Sequence, residues 1–210
     1  MRIFNTRNEM MKALCPPGSV ILEVGVFKGE FAEVLYQTQP RRLILCDPWD
    51  CRMVSGDADG NNVVEADLPA EFRKIYDKFA GDGRTTLVRG RSPGSLNFLP
   101  ARSIDVLYID GDHSYAGCRT DLLMGLRLVK PGGWICGHDY EINPAKTPHR
   151  YDFGVGRAVD TFCAEKGLKI SAKAMDGCVS YAIQLPYDDP SEGEASRPSS
   201  SESETSPLCR

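Results

Sequence analysis

The sequence predicts an α/β fold with helices on both faces of a mostly parallel sheet. Short runs of residues that are apolar throughout alternate with segments of helix length, a pattern typical of parallel strands buried on both faces. Near the end of the chain, Asp176 and Gly177 separate two strand-like runs. Because this pair favours a two-residue hairpin, we expect the sheet to close with an antiparallel last strand.

The elements follow in order along a chain of 210 residues, which is enough for one domain with a sizeable core. Thr6 and Glu9 have the spacing of a capping box and predict a short helix over 6–14. Strands are predicted at 19–24, 42–46, 85–89, 104–109 and 133–137, and helices at 30–37, 68–79, 92–99 and 117–129. A helix near 155–166 precedes the hairpin formed by 168–175 and 178–185. We therefore expect one folded domain over 1–186.

The segment 187–210 is rich in Ser, Glu and Pro and has almost no large apolar residue, so we expect a disordered acidic tail. The whole chain has 29 acidic and 25 basic residues, a net charge of −4. Six of these acids and two of these bases lie in the tail, so the domain itself is neutral. Its bases are scattered rather than arranged in a stripe, which argues against a nucleic-acid partner.

The eight cysteines form no CxxC pair and no metal-finger spacing. We interpret them as free thiols in a reducing cytoplasm. The N-terminus lacks the apolar core of a signal peptide, and no apolar run approaches the length of about 18 residues that a membrane span needs. The sequence therefore predicts a soluble cytoplasmic protein without a membrane partner.

Ligands of open parallel sheets bind at the carboxyl ends of the strands, so the residues after each strand are informative. Gly25 and Gly29 follow the first long strand and permit a tight turn with close approach of a ligand. Their spacing matches neither the dinucleotide fingerprint nor a P-loop. A plain strand-to-helix turn is the alternative. Glu23 argues against it, because an ionised side chain inside an apolar strand needs a partner.

Asp47 ends the second strand, 22 residues beyond Gly25. An acid at this offset suits hydrogen bonding to a ribose diol. Together with the glycine loop it predicts a nucleoside ligand without a pyrophosphate. Arg91 and Ser92 follow the third strand, and Ser92 is equally suited to cap a helix.

Asp110 and Asp139 follow the fourth and fifth strands, which should be neighbours about 4.8 Å apart. Two carboxylates that close either repel each other, with one protonated, or share a cation. Oxygen ligands suit Mg²⁺, Mn²⁺ or Ca²⁺. His138 is either a third ligand or a residue that holds the loop.

His113 lies three residues beyond Asp110 and can reach the same crevice. An imidazole with an unperturbed pKa of about 6.5 can accept a substrate proton at neutral pH. The alternative is a histidine that only bonds its own loop. Asp112 is best explained as a turn residue.

These motifs resemble those of class I S-adenosylmethionine-dependent methyltransferases over roughly 15–185. The matching stretches are "EVGVFKGEF" (23–31), Asp47, "IDVLYIDGDHSYAGCRTDLLMGLRLVKPGGWICGHDY" (104–140) and "GVGRAVDTFCAEKGL" (154–168). Within that superfamily the chain looks most like the small methyltransferases related to macrocin O-methyltransferase. The combination of "YIDGDHSY" with "KPGGWICGHDY" is the most specific part of the likeness.

The resemblance implies a Rossmann-like sheet of seven strands and S-adenosylmethionine as cofactor. It also implies a place for each predicted cofactor residue. Glu23, Gly25 and Gly29 would surround the methionine part, Asp47 would bind the ribose, Arg91 and Ser92 would lie near adenine, and Asp110 would face the cofactor.

For the chemistry, the resemblance implies that Asp110 and Asp139 match the ligands of Mg²⁺ or Mn²⁺ in metal-dependent relatives. His113 would match a general base in the macrocin-type branch. The chain departs from both patterns, with Tyr140 where catechol-type enzymes have Asn, and with His138 beside Asp139 where macrocin-type enzymes have paired acids.

The leading hypothesis is methyl transfer to an oxygen of a small molecule such as a sugar or a phenol, with metal assistance. A metal-independent O- or N-methyltransferase is one alternative, and a non-catalytic module that binds S-adenosylmethionine is another. Trp49, Tyr140 and Tyr151 are candidates to line an acceptor pocket, and the loop 140–153 is a candidate lid. The oligomeric state is left open, with a homodimer as one alternative.

Overall fold

The computed structural model describes residues 1–50, 52–55, 64–79, 81–142 and 154–188. The polar turn 57–61, most of the candidate lid including Tyr151, and the predicted tail from residue 189 onward lie outside the described residues.

The described residues form ten strands and five α-helices. The strands are β1 (Arg2–Phe4), β2 (Val20–Val24), β3 (Arg42–Asp47), β4 (Arg52–Ser55), β5 (Val64–Asp67), β6 (Thr85–Arg89), β7 (Ile104–Ile109), β8 (Val129–Ile142), β9 (Ile170–Ala174) and β10 (Cys178–Gln184). The helices are α1 (Arg7–Leu14), α2 (Glu30–Gln37), α3 (Leu68–Phe79), α4 (Tyr115–Leu128) and α5 (Val155–Lys166). A 3₁₀ turn, Gly94–Leu96, replaces the helix predicted over 92–99.

Eight of these strands form one sheet in the order β1, β9, β10, β8, β7, β2, β3, β6. The strands from β8 to β6 pair in parallel, whereas β10 runs antiparallel to both β8 and β9. The prediction of a mostly parallel sheet with an antiparallel last strand is confirmed. The described sheet has eight strands rather than seven, because the N-terminal β1 pairs with β9. A separate hairpin joins β4 to β5.

Helices cover both faces of the sheet, as predicted. Successive residues of β2 point to opposite faces, as expected for a strand. Leu22 packs in the core beneath α4 and α5 with Leu122, while Ile21 packs on the other side with Met10 of α1 and Leu35 of α2. The middle strands are therefore apolar on both sides, which explains their continuous apolar sequences.

The predicted cap of the first helix is present. The Thr6 side chain accepts a hydrogen bond from the Glu9 backbone N–H. The Glu9 carboxylate accepts from the Asn5 N–H rather than from Thr6, so the capping box is completed one residue earlier. The cap fixes the start of α1 and thereby the position of Arg7.

The described cysteines are free thiols, and all except Cys178 are buried. This agrees with the prediction of free thiols for the cysteines that the structure describes. None of the described helices is long and apolar enough to cross a membrane.

Candidate active site

A pocket of about 580 Å³ opens at the carboxyl ends of the parallel strands. It is lined by predicted site residues from four neighbouring strand ends, and these residues are Asp110 and His113 after β7, Glu23 and Gly25 at β2, Asp47 at β3, and Arg91 and Ser92 after β6. The predicted residue Gly29 lies at the start of α2, directly beside this lining. The strand order therefore gathers residues that are far apart in the sequence.

The loop after β2 depends on glycine at two positions. Gly25 has a φ of +86°, and a Cβ added there would lie 2.0 Å from the carbonyl oxygen of Asp110. Gly29 has a φ of +79°, and an added Cβ would lie 2.9 Å from Ile75 Cγ1. Any residue larger than glycine is excluded at position 25, because the backbone is left-handed there and the Asp110 carbonyl occupies the space of a Cβ. The loop thus passes close to the end of β7.

Asp47 holds this glycine loop in place. Its Oδ2 accepts hydrogen bonds from the Val26 and Phe27 backbone N–H groups at 2.9 and 3.0 Å. Its Oδ1 accepts from the Trp49 N–H at 2.9 Å. The sequence predicts a ribose as the partner of Asp47. The structure adds a second role, which is to hold the glycine loop. Asp47 also lines the pocket, and its ribose role stays a prediction.

Glu23 is 1% exposed and lines the pocket from the end of β2. Its Oε2 atom is buried without a hydrogen-bond partner among the described residues. Burial, with the charge of Asp110 adding to it, raises the pKa of Glu23 well above its usual value. A buried carboxyl oxygen without a partner fits a ligand that donates a hydrogen bond.

Ser92 does not cap a helix, because the 3₁₀ turn begins after Pro93. The Ser92 side chain lies beside Asp121 of α4, which is 2% exposed. Burial raises the pKa of Asp121 to about 6, although the neighbouring Ser92 hydroxyl opposes the shift. Asp121 therefore positions Ser92 at the pocket wall, a contact that the sequence did not indicate.

Asp110, His113 and Asp139 form a cluster where the end of β7 lies beside the later part of β8, which contains Asp139. The Nε2 atom of His113 lies 3.0 Å from Asp139 Oδ2 and 3.4 Å from Asp110 Oδ1. One potential ligand atom from each residue lies within 4.8 Å of the others. The prediction that the two aspartates project from adjacent strands into one crevice agrees with this geometry.

The protonation of this cluster follows from its short contacts. Burial alone would lower the pKa of His113, but hydrogen bonds to Asp110 and Asp139 raise it to about 10. Burial likewise would raise the pKa of Asp139, but hydrogen bonds from His113 and His138 hold it well below its usual range. His113 is therefore an imidazolium at neutral pH and balances the charge of both carboxylates.

His138 lies beside the cluster rather than within it. Its Nδ1 is 3.1 Å from Asp139 Oδ1 and 3.9 Å from Asp110 Oδ1. The structure groups His113, not His138, with the two aspartates. His138 thus orients Asp139, and its role as a metal ligand stays a prediction.

Three residues near the cluster have other tasks. Asp112 accepts a hydrogen bond from the Ser114 N–H at 2.9 Å, which agrees with the predicted turn. Trp49 is fully buried and donates its indole N–H to the Phe27 carbonyl. The Tyr140 hydroxyl donates to Asp160 of α5. The prediction that Trp49 lines an acceptor pocket is therefore wrong, and the Tyr140 hydroxyl is turned to α5.

The comparison with known protein families agrees with this site. A family model described as a methyltransferase domain matches residues 22–140, which is more than half of the chain. The chain belongs to this methyltransferase family. The predicted class, an S-adenosylmethionine-dependent methyltransferase, is confirmed.

Solved methyltransferase structures share the fold. The O-methyltransferase NovP aligns with a TM-score of 0.61 and 18% identity over 86% of this chain and 79% of its own. The N-methyltransferase NodS from Bradyrhizobium japonicum WM9 gives 0.58 and 17% over 86% and 94%. Fibrillarin from Aeropyrum pernix, solved with natively bound S-adenosyl-L-methionine, gives 0.58 and 12% over 84% and 72%. No curated protein sequence matches the chain.

Arg7 of this methyltransferase is a pocket residue that the sequence motifs missed. It lies before the matched domain, at the start of α1, and its Nη1 is 3.3 Å from Asp110 Oδ2. No local pattern distinguishes Arg7 from other N-terminal bases. Only the capping box at Thr6 and Glu9 fixes where its helix starts, and the contact itself depends on the fold.

Proposed function

We propose that the protein transfers a methyl group from S-adenosylmethionine to a hydroxyl oxygen of a small molecule. The observation that carries this proposal is the cluster of Asp110, His113 and Asp139 next to the Gly25 loop. The cluster combines acidic and basic groups, and it lies where the end of β7 meets the loop after β2. We propose that the nucleoside binds on the β2 side of this point and that methyl transfer takes place on the β7 side. We further propose that the chain belongs to the macrocin-type branch, whose motifs "YIDGDHSY" and "KPGGWICGHDY" resemble.

The described residues fit the cofactor. The unpartnered Oε2 of Glu23 offers a buried acceptor, and the absence of a side chain at Gly25 lets a ligand approach the backbone. Asp47, Arg91 and Ser92 stand along the same wall on the β3 and β6 side, where we propose the ribose and adenine bind. When bound, the cofactor supplies an activated sulfonium methyl group, so the protein contributes chiefly position and proton transfer.

The same residues also fit a divalent cation. Asp110 and Asp139 supply carboxylate oxygens that lie within 4.8 Å of each other. These oxygen ligands suit Mn²⁺ or Mg²⁺. A cation held there would lower the pKa of an acceptor hydroxyl and orient it. It would also take over the charge compensation that His113 supplies to the two carboxylates.

We propose that His113 receives the acceptor proton when a cation bound by Asp110 and Asp139 has taken over their charge compensation, because the imidazole is then neutral and free to accept it. Its Nε2 faces both carboxylates, so a proton received there stays stabilised by Asp110 and Asp139. Asp139 itself has a φ of +57°, a left-handed conformation that aspartate tolerates better than most residues. This backbone conformation directs the carboxylate toward His113.

The proposed acceptor is a small molecule and not a nucleic acid. The neutral domain offers no basic stripe for a polynucleotide. We also propose a cytoplasmic location, in keeping with the free thiols.

The proposed activity is tested with labelled S-adenosylmethionine and a panel of phenols, sugars and amines, with products detected by mass spectrometry. We expect a methyl ether product and loss of activity with EDTA that Mg²⁺ or Mn²⁺ restores. Methylated amines with EDTA-insensitive turnover would favour the metal-independent alternative. Cofactor binding without product over the whole panel would favour the non-catalytic module.

The cation site is tested apart from turnover by electron paramagnetic resonance of bound Mn²⁺. We expect Asp110→Asn and Asp139→Asn each to weaken Mn²⁺ binding at least about tenfold, because each removes one carboxylate ligand. Asp77→Asn is the matched control, because Asp77 is an exposed carboxylate on α3, outside the cluster. Equal Mn²⁺ affinity in Asp139→Asn and the wild type would contradict the proposed site.

A further inference from the structure

Arg7 brings a fixed positive charge to the pocket from outside the matched methyltransferase domain. Its guanidinium lies over the Phe31 ring, 4.5 Å from the centroid. Its Nη1 contacts Asp110 Oδ2 at 3.3 Å, and its backbone N–H donates to Asp176 Oδ2 at 2.9 Å in the hairpin turn. Three contacts from three elements therefore hold this residue in place.

Glu23 is the acidic counterpart of Arg7 on the same pocket wall. Both residues line the pocket together with Gly25, Phe31 and Asp110. Glu23 is 1% exposed, and its Oε2 has no hydrogen-bond partner among the described residues. A buried acceptor of this kind is costly unless a ligand donates to it.

We infer that Arg7 and Glu23 together bind the amino-acid end of the cofactor, Arg7 the α-carboxylate and Glu23 the α-ammonium. This inference rests on the proposed placement of S-adenosylmethionine in the pocket. The methionine part is a zwitterion, and the pocket offers a cationic donor in Arg7 and a buried carboxyl acceptor in Glu23. A guanidinium has five N–H donors in a planar fork, more than the single Asp110 contact uses.

The position of Arg7 makes it suited to a carboxylate. The Arg7 guanidinium lies over the Phe31 ring, and Phe31 in turn packs against Tyr108 with 4.3 Å between the ring centroids and 38° between the ring planes. A preorganised arginine loses less side-chain entropy on binding than a free one. Arg7 is thus a cofactor-binding residue supplied by the N-terminal helix.

The inference is tested by calorimetry with three nucleosides and the variant Arg7→Met. S-adenosylhomocysteine has both charged groups, its decarboxylated analogue has only the amine, and 5′-methylthioadenosine has neither. We expect Arg7→Met to lower the affinity for S-adenosylhomocysteine about 10- to 100-fold, the loss expected when a hydrogen bond between charged groups is removed. The affinities for the other two nucleosides should stay within about threefold of the wild type.

Two further variants sharpen this test. Glu23→Gln should lower the affinity for S-adenosylhomocysteine and for its decarboxylated analogue, but not the affinity for 5′-methylthioadenosine. Lys12→Met is the matched control, because it removes one exposed positive charge from the same helix. Thermal denaturation of each variant identifies any loss of folding, and Arg7→Lys, which keeps the charge, should recover part of the lost affinity.

Two results would overturn the inference. Arg7→Met could lower the affinity for all three nucleosides equally, which would mean that Arg7 only supports the pocket wall. Alternatively, Arg7→Met could leave S-adenosylhomocysteine binding unchanged. Failure of the wild type to bind any of the three nucleosides would instead refute the proposed cofactor site itself, so the two failures are distinguishable.

Discussion

At the scale of single residues, Gly25 shows how closely the loop and the sheet approach each other. Its φ is +86°, and the carbonyl oxygen of Asp110 occupies the space that a side chain would need. The contact joins the glycine loop to the end of β7, where the acidic cluster begins. A change at Gly25 should therefore disturb both halves of the site.

Gly25→Ala is expected to lower the free energy of unfolding by about 2 kcal/mol or more, through the left-handed conformation and the overlap with Asp110. Urea denaturation measures this loss. The matched control is Gly81→Ala, because an added Cβ at Gly81 meets nothing within 4 Å. If Gly25→Ala were as stable as Gly81→Ala, the close approach described at Gly25 would be wrong.

Asp121 should make stability depend on pH. Its pKa is about 6 in the folded protein against an ordinary value of 3.8. A carboxyl that binds its proton more tightly when folded destabilises the fold as pH rises. The cost appears between pH values of about 4 and 6, and it reaches up to about 3 kcal/mol above that window.

Asp121→Asn removes this cost, so the variant should gain stability over the wild type as pH rises from 4 to 7. Urea denaturation across this pH range measures the difference. Asp77→Asn, at an exposed position, is the control for the general loss of negative charge. A difference between Asp121→Asn and the wild type that does not change with pH would refute the burial argument.

The residues after β7 show which roles of single residues can be predicted from the sequence alone. Asp112 was predicted as a turn former because aspartate commonly bonds a backbone N–H two residues on, and it does so. His113 was placed in the crevice correctly, but an unperturbed pKa was assumed for it. The two carboxylates that raise this pKa come from different strands, so only the fold reveals the shift.

At the scale of elements, the loop between β2 and α2 is held by the end of β3. Phe27 has a φ of +52° and Trp49 one of +40°, both unusual for large side chains. Hydrogen bonds to the Asp47 carboxylate, and from the Trp49 indole to the Phe27 carbonyl, stabilise this arrangement. The glycine loop is therefore preformed by its contacts with the end of β3.

Asp47→Ala should release this loop while the sheet stays folded. Amide hydrogen exchange is expected to become faster at Val26 and Phe27, whose N–H groups lose their acceptor. Exchange in β7 should change little. Asp50→Asn is the control, since Asp50 contacts the exposed Arg91 instead. Unchanged protection at Val26 and Phe27 would contradict the loop-holding role of Asp47.

Most elements could be predicted because their signals are local. The bounds of α2 and α3 agree with the predicted ranges 30–37 and 68–79, since their apolar residues have clear helical spacing. The short strand β1 was missed. Its three residues have no usable periodicity, and its partner β9 lies about 170 residues along the chain.

At the scale of the whole molecule, strand order creates the site. The order β8, β7, β2, β3, β6 places the acidic cluster at one end of the pocket and Arg91 with Ser92 at the other. The sequence indicated this edge because polar residues follow apolar strands. The sequence did not indicate Arg7. Arg7 reaches the pocket only because α1 packs against both β9 and α2.

The central claim, that this pocket binds the methyl-donor cofactor, is tested most directly by isothermal titration calorimetry of S-adenosylhomocysteine with the full chain. We predict binding at one site per chain, with affinity strongly reduced in Gly25→Ala and retained in Gly81→Ala. An absence of binding by the folded wild-type protein, or equal binding by Gly25→Ala, would contradict the account.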